Sequence, residues 1–299
     1  MWTVTSERVS LVAIGGGHGL SVTLSAARCY ASEITAVVSM ADDGGSTGRL
    51  RRDLGVPAPG DLRKCLVALA ADPDGAWARA YEHRFGVGEL AGHPLGNLML
   101  VGLYETLGDM GRALAEAGAV LGAVGRVLPA TPDSVVLTAD VEGRAVEGQV
   151  AVQNAPGRIR RVELVPADVP AGEGVVETIE QADQVILAPG SLYTSLLPAL
   201  CVPAVARALR DTRAIVVQVG NLAPQVPETA GLAGIDHVRA VLEHGGRVDR
   251  LVVHEGGELS VAPEEVRALG VELVIAPVAR PGALAHDPAG LAIVLATLL

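Results

Sequence analysis

The sequence predicts an α/β protein built on a doubly wound, mostly parallel sheet. Three observations predict it. Short apolar runs rich in β-branched residues recur along the chain and end on glycine turns. Several of those turns lead into segments of helical character, which gives the β-loop-α-β order of a parallel sheet. Hydrophobic residues make up 49% of the 299 residues and aromatics only 2%, so the core must be drawn from Ala, Val, Leu and Ile.

Val9–Ile14 reads as the first buried strand, ending on Gly15-Gly16-Gly17, with a helix over Leu20–Tyr30. Ile34–Met40 reads as a second strand running into the polar loop Ala41–Gly48. Asp61–Ala71 reads as a helix capped by Asp61. Gly96–Leu107, which Asn97 is placed to cap, and Ala113–Gly122 continue the helical layer. The texture changes around residues 125–166. Val135–Thr138, Gln149–Gln153 and Arg161–Val165 are strand-like, separated by turns at Asp140–Gly143 and Asn154–Gly157, and predict a β-rich insertion with no helix of its own. The first pattern then returns as strands Gln184–Ala188, Ala214–Val219, Leu251–His254 and Leu273–Pro277, with a helix from about Leu192. Gly290–Leu299 is apolar but about half the roughly 20 residues of a membrane span, so it reads as a buried last helix. Residues 1–299 thus read as one Rossmann-like domain with a small β-rich insertion.

The formal net charge of −11 repels phosphate backbones at long range and argues against nucleic acid as a partner. Cys29, Cys65 and Cys201 are far apart and suit neither a zinc site nor a disulfide framework. Met1–Arg8 is polar and does not resemble a signal peptide. The expectation is a cytoplasmic protein without membrane insertion, assembled as a homo-oligomer.

Five clusters carry the chemistry. Gly16, Gly17, His18, Gly19 and Leu20 form a glycine turn between strand and helix, where backbone N–H groups and the helix dipole favour a phosphate. The turn is not a P-loop, since no Gly-Lys-Ser/Thr follows, and Leu20 stands where a dinucleotide fingerprint has its third glycine. The second cluster joins Asp42 and Asp43 to Ser46, Thr47, Gly48, Arg49 and Arg51. Its carboxylates suit ribose hydroxyls or Mg²⁺, and its arginines a phosphate clamp. Asp61 and Arg63 form the third, and His93 with Asn97 the fourth, His93 being a candidate general acid. Gly190, Ser191, Leu192, Tyr193 and Thr194 form a second strand-glycine-helix anion site, with Tyr193 placed to stack on a base. Asn221 follows a further strand end. Strand ends of an open α/β sheet share one crevice, so two anion sites there suit a nucleotide diphosphate.

The stretches GGGHGL, ADDGGSTGRLR, PGDLRKCLVALA, GHPLGNLML and APGSLYTSLLP, in that order, resemble the CofD-like superfamily over roughly residues 10 to 290. Within it they resemble the gluconeogenesis-factor (YvcK-type) branch. The resemblance implies a Rossmann-like fold and a UDP-sugar-binding regulatory protein linked to carbon metabolism, cell shape and cell-wall synthesis. UDP-N-acetylglucosamine is its representative ligand. The other branch implies a 2-phospho-L-lactate transferase, which moves a phospholactyl-type group from a guanosine diphosphate donor to a deazaflavin with Mg²⁺. By the same resemblance Asp42 and Asp43 contact metal or ribose, and Gly16–Gly19 with Gly190–Thr194 contact phosphate and sugar. This chain departs from the pattern at His18, where threonine is usual, and at Pro227-Glu228-Thr229, where glycine usually precedes Glu-Thr. No redox cofactor is expected. An NAD(P)-dependent oxidoreductase is disfavoured by the missing third glycine, and a deazaflavin pocket by the seven aromatics available.

Overall fold

A computed structural model describes residues 8–259 and 261–299. The start of the chain read above lies, except for Arg8, outside the described residues. The strands are β1 (Ser10–Gly15), β2 (Glu33–Val38), β3 (Arg126–Pro129), β4 (Val136–Val141), β5 (Arg144–Glu147), β6 (Ile159–Val165), β7 (Gln184–Leu187), β8 (Ile215–Val219), β9 (Arg250–His254) and β10 (Glu272–Ala276).

Seven of them form one sheet in the order β10-β9-β8-β7-β1-β2-β3. Every neighbouring pair in it is parallel. The sequence dictates this layer directly. Leu11–Ile14 and Val185–Leu187 are uninterrupted apolar runs, and all of these residues are fully buried. Strands covered by helices on both faces have no solvent side to alternate with. The helix Gly17–Ala27 packs on Gly60–Leu69 and on Pro288–Ala296.

β5-β4-β6 form a separate antiparallel sheet. β4 alternates between buried and half-buried residues along its length, the mark of a sheet with one face on the core.

The chain winds outward from β1 through β2 to β3, returns to pair β7 with β1, and then winds the other way. Strand order therefore reverses between β1 and β7, and the crevice of an open α/β sheet lies at such a switch point.

The insertion differs from expectation in three respects. Arg126–Pro129 is β3, an edge strand of the main sheet rather than part of the insertion. Asp140 lies within β4, and the turn falls at Glu142-Gly143, both at positive φ. Gln149–Gln153 is a helix rather than a strand, because a carboxylate outside the segment caps its N-terminus, as described below. The polar stretch read as a loop to Gly48 becomes helical at Gly45, in the helix Gly45–Leu54. The last helix, Pro288–Ala296, is capped by the Asp287 carboxylate, which accepts Gly290 N–H at 2.9 Å. It is not wholly buried, since Ile293 is 70% exposed. Among the described residues no single helix is long and apolar enough to cross a membrane.

Candidate functional site

Two adjoining cavities open at the carboxyl ends of β1, β2, β7 and β8. One, of about 280 Å³, is lined by Gly16, Gly17, His18, Gly19, Asp42, Asp61, Gly190, Ser191 and Thr194, all foreseen, and also by Ser39, Lys64, Gln149, Gln153, Ser195 and Gln225. The other, of about 340 Å³, shares His18, Gly19, Gly190 and Gln225 with it. It adds Asn221, His286 and the more apolar wall Val22, Leu222, Ala223, Pro224 and Leu284.

The helix Gly17–Ala27 begins where the two cavities meet, and no side chain caps it. The first N–H groups of a helix lack partners within it, so the amides of Gly17–Gly19 remain available to a ligand. Gly19 brings this helix against the next strand end. A Cβ there would lie 1.7 Å from Pro189 O.

The second expected anion site is built differently. Ser191 precedes a π-helical turn, Leu192–Leu196, that runs into the helix Leu197–Leu200. Two of its first N–H groups are already taken. Glu228 Oε1 accepts Tyr193 N–H at 2.7 Å and Thr194 N–H at 3.1 Å, and Oε2 accepts the Thr194 hydroxyl at 3.3 Å. Burial pushes the Glu228 carboxyl above the usual range, against these donated bonds. Sequence reasoning misses Glu228 as a site residue, because a Glu 35 positions after Tyr193 carries no local signal of capping this turn. Asn221 is likewise structural at one edge: its Oδ1 accepts Gly190 N–H at 2.6 Å and its Nδ2 donates to Gly190 O at 2.8 Å.

Several foreseen residues face elsewhere. Leu20, Leu192 and Tyr193 are buried in the core, so Tyr193 is packing and does not present its ring to the cavity. The Asp43 carboxylate accepts Gln149 and Val150 N–H, both at 2.9 Å, and caps the insertion's helix rather than facing Asp42's cavity. Arg49 donates to Ala91 O at 2.8 Å, and Arg51 to Asp42 O at 2.7 Å and Val135 O at 2.6 Å. These arginines tie backbone segments together, and neither lines the two cavities. Gly48 allows Asp43 O to approach to where a Cβ would be.

Ser46, His93, Asn97 and Arg63 form a buried chain outside both linings. Asn97 Nδ2 donates to Ser46 Oγ at 3.1 Å, Ser46 Oγ meets His93 Nδ1 at 2.8 Å, and Arg63 Nε donates to Asn97 Oδ1 at 3.0 Å. Ser46 Oγ accepts from Asn97 and keeps a second lone pair and its own proton for the contact with His93 Nδ1. Burial and then Arg49 lower the His93 pKa. This chain satisfies Ser46, a buried polar residue in the first turn of the helix Gly45–Leu54. Neither expected cap is one: the residues preceding those helices are Pro59 and Pro94.

Asp42 and Asp61 are the carboxylates that do face the cavity. Asp42 accepts Gly44 N–H at 3.0 Å. Burial, and then the Asp61 charge, raise its pKa. The folded state therefore binds this proton more tightly than the unfolded state, so stability falls as pH rises from the unfolded value through the folded one. Asp42→Asn is expected to remove that fall. A thermal melt series from pH 4 to 8 should show a flatter profile for the variant, with a melting temperature at pH 8 no lower than wild type.

Asp61 Oδ1 is 2.9 Å from Lys64 Nζ. A divalent cation thus meets two carboxylates, one of which already holds an ammonium. Among the described residues no three His, Cys, Asp or Glu side chains gather into a metal-holding group.

This geometry accompanies a clear kinship. Residues 11–276 match the family model described as 2-phospho-L-lactate transferase CofD. A "Putative gluconeogenesis factor" of Mycobacterium tuberculosis is 47% identical over 303 residues, spanning 95% of this chain and 89% of that one. The "Gluconeogenesis factor" of Bacillus subtilis is 38% identical over 287 residues, 90% of each. The crystal structure of a UPF0052 family member from Bacillus halodurans superposes with a TM-score of 0.92 at 36% identity, covering 97% of this chain and 99% of that one. With its parallel sheet, its insertion and its glycine-lined crevice, the chain belongs to the CofD family and groups there with the gluconeogenesis factors.

Proposed function

We propose that this chain binds a nucleotide diphosphate, with a UDP-sugar as the preferred ligand, and acts as a regulatory protein linking carbon metabolism to cell shape and cell-wall synthesis. The observation that carries the reading is the uncapped row of N–H groups at Gly17–Gly19, set between a more apolar lobe and a polar one. Helix N-termini of this kind receive the diphosphate of nucleotides at switch points. The apolar lobe at Val22, Leu222 and Leu284 suits a nucleoside. The polar lobe, with Ser39, Gln149, Gln153 and Ser195, offers hydroxyl and amide groups to a sugar. The regulatory part of the reading rests on the gluconeogenesis-factor relatives.

Isothermal titration of UDP-N-acetylglucosamine is expected to give saturable one-site binding. Absence of heat at millimolar ligand would refute the UDP-sugar assignment. If a guanosine diphosphate compound bound instead, the phospholactyl-transferase reading would take its place, tested by product formation with a deazaflavin acceptor.

A further inference from the structure

One cation in the polar lobe is left unused by the nucleotide reading. Lys64 lies one turn inside the helix Gly60–Leu69, where the positive dipole end disfavours a cation. Its ammonium is nevertheless drawn into the cavity lining and held by Asp61, with the side chain 26% exposed. Its field also reaches the buried Asp42 carboxyl and the buried Cys65 thiol, and opposes their upward shifts. The Lys64 charge is therefore felt by both carboxylates that face the cavity.

We infer that the Lys64 ammonium takes the place of a divalent cation in this cavity, so that the phosphate of a ligand bonds directly to Nζ and binding does not require metal. The argument is one of donor chemistry. Mg²⁺ demands near-octahedral oxygen ligation and is usually held by one or two carboxylates plus substrate phosphates. Here Asp43 is turned away to cap Gln149–Gln153, and Asp61 is already paired. To bind through both Asp42 and Asp61, a metal would have to displace a tethered ammonium whose effective concentration is high because it sits on the same helix turn as its partner. An ammonium with three donors can hold Asp61 and still give a charge-assisted bond to a phosphate oxygen.

The ligand class rests on the nucleotide-diphosphate reading, but the test uses inorganic pyrophosphate and Mn²⁺, so either idea can fail alone. Pyrophosphate is titrated calorimetrically into the wild type in EDTA and again in Mg²⁺. The two affinities are expected to agree within about threefold, the margin left by one unneeded metal contact. In EDTA, Lys64→Met is expected to lose at least about tenfold through the missing charged bond, while Lys64→Arg retains binding. Asp42→Asn, which removes a negative charge beside the anion, is expected to bind no more weakly than wild type. Electron paramagnetic resonance of Mn²⁺ should show uptake by Lys64→Met that exceeds wild type by a similar factor. A thermal melt confirms that each variant is folded; should Lys64→Met not fold, the wild-type titrations and Asp42→Asn decide. Pyrophosphate binding that needs Mg²⁺, or wild-type uptake of Mn²⁺ as strong as that of Lys64→Met, overturns the inference. So does the absence of pyrophosphate binding under both conditions, whatever UDP-N-acetylglucosamine does.

Discussion

Gly19→Ala is expected to destabilise the protein by about 3 kcal/mol or more, the upper end of overpacking costs. A Cβ there would stand 1.7 Å from Pro189 O and 2.5 Å from Pro189 C. Those atoms are backbone, and the following residue is held in place by the Gly190–Asn221 pair. Relief requires the helix Gly17–Ala27 to move off the β7 end, which opens the switch point and disperses the N–H row. The melting temperature should fall by roughly 5 °C or more, with loss of ligand binding. Gly17→Ala is the control. It meets no atom within 4 Å but has φ of +63, so it should cost only about 1–2 kcal/mol of left-handed strain. Equal losses in the two variants, measured by chemical denaturation, would show that the close approach at Gly19 does not set the geometry.

Glu228→Ala carries the second large effect. It leaves the Tyr193 and Thr194 amides and the Thr194 hydroxyl without an acceptor at buried positions. Each orphaned group costs about 1–3 kcal/mol, so a loss of about 3 kcal/mol or more is expected. Glu228→Gln keeps an oxygen for the two amides and should lose about 1 kcal/mol. If alanine and glutamine lose equally, the capping role assigned to Glu228 is wrong.

The main sheet was legible because continuous apolar runs ending on glycine leave little choice of arrangement: β1, β2, β7, β8, β9 and β10 all fall within a few residues of their expected spans. The glycine-lined part of the cavity followed from the same logic, since strand ends of one parallel sheet share one edge. What failed was tertiary. Gln149–Gln153 has a strand-like composition and becomes a helix because Asp43, more than a hundred residues away, satisfies its first amides. Arg49 and Arg51 are ordinary phosphate ligands by type, but backbone carbonyls from other segments claim them. Tyr193 lies in a π-helical turn and is buried in the core, away from the base it reads as placed to stack on. Side-chain direction and long-range capping have no short-range signature, and these errors share that cause.

The Asp43 cap has a thermodynamic corollary. Gln149 and Gln153 form one wall of the polar cavity, and they stand on a short helix whose first amides are held by the Asp43 carboxylate, which lies outside that cavity. The same helix packs on β4 and β5, the framework of the antiparallel sheet. A molecule resting against those glutamines favours the state in which Asp43 is engaged and the sheet is formed. By mass action, occupancy and the order of the 136–165 segment then rise together. The small sheet is therefore expected to be better protected against amide exchange when the crevice is occupied than when it is empty.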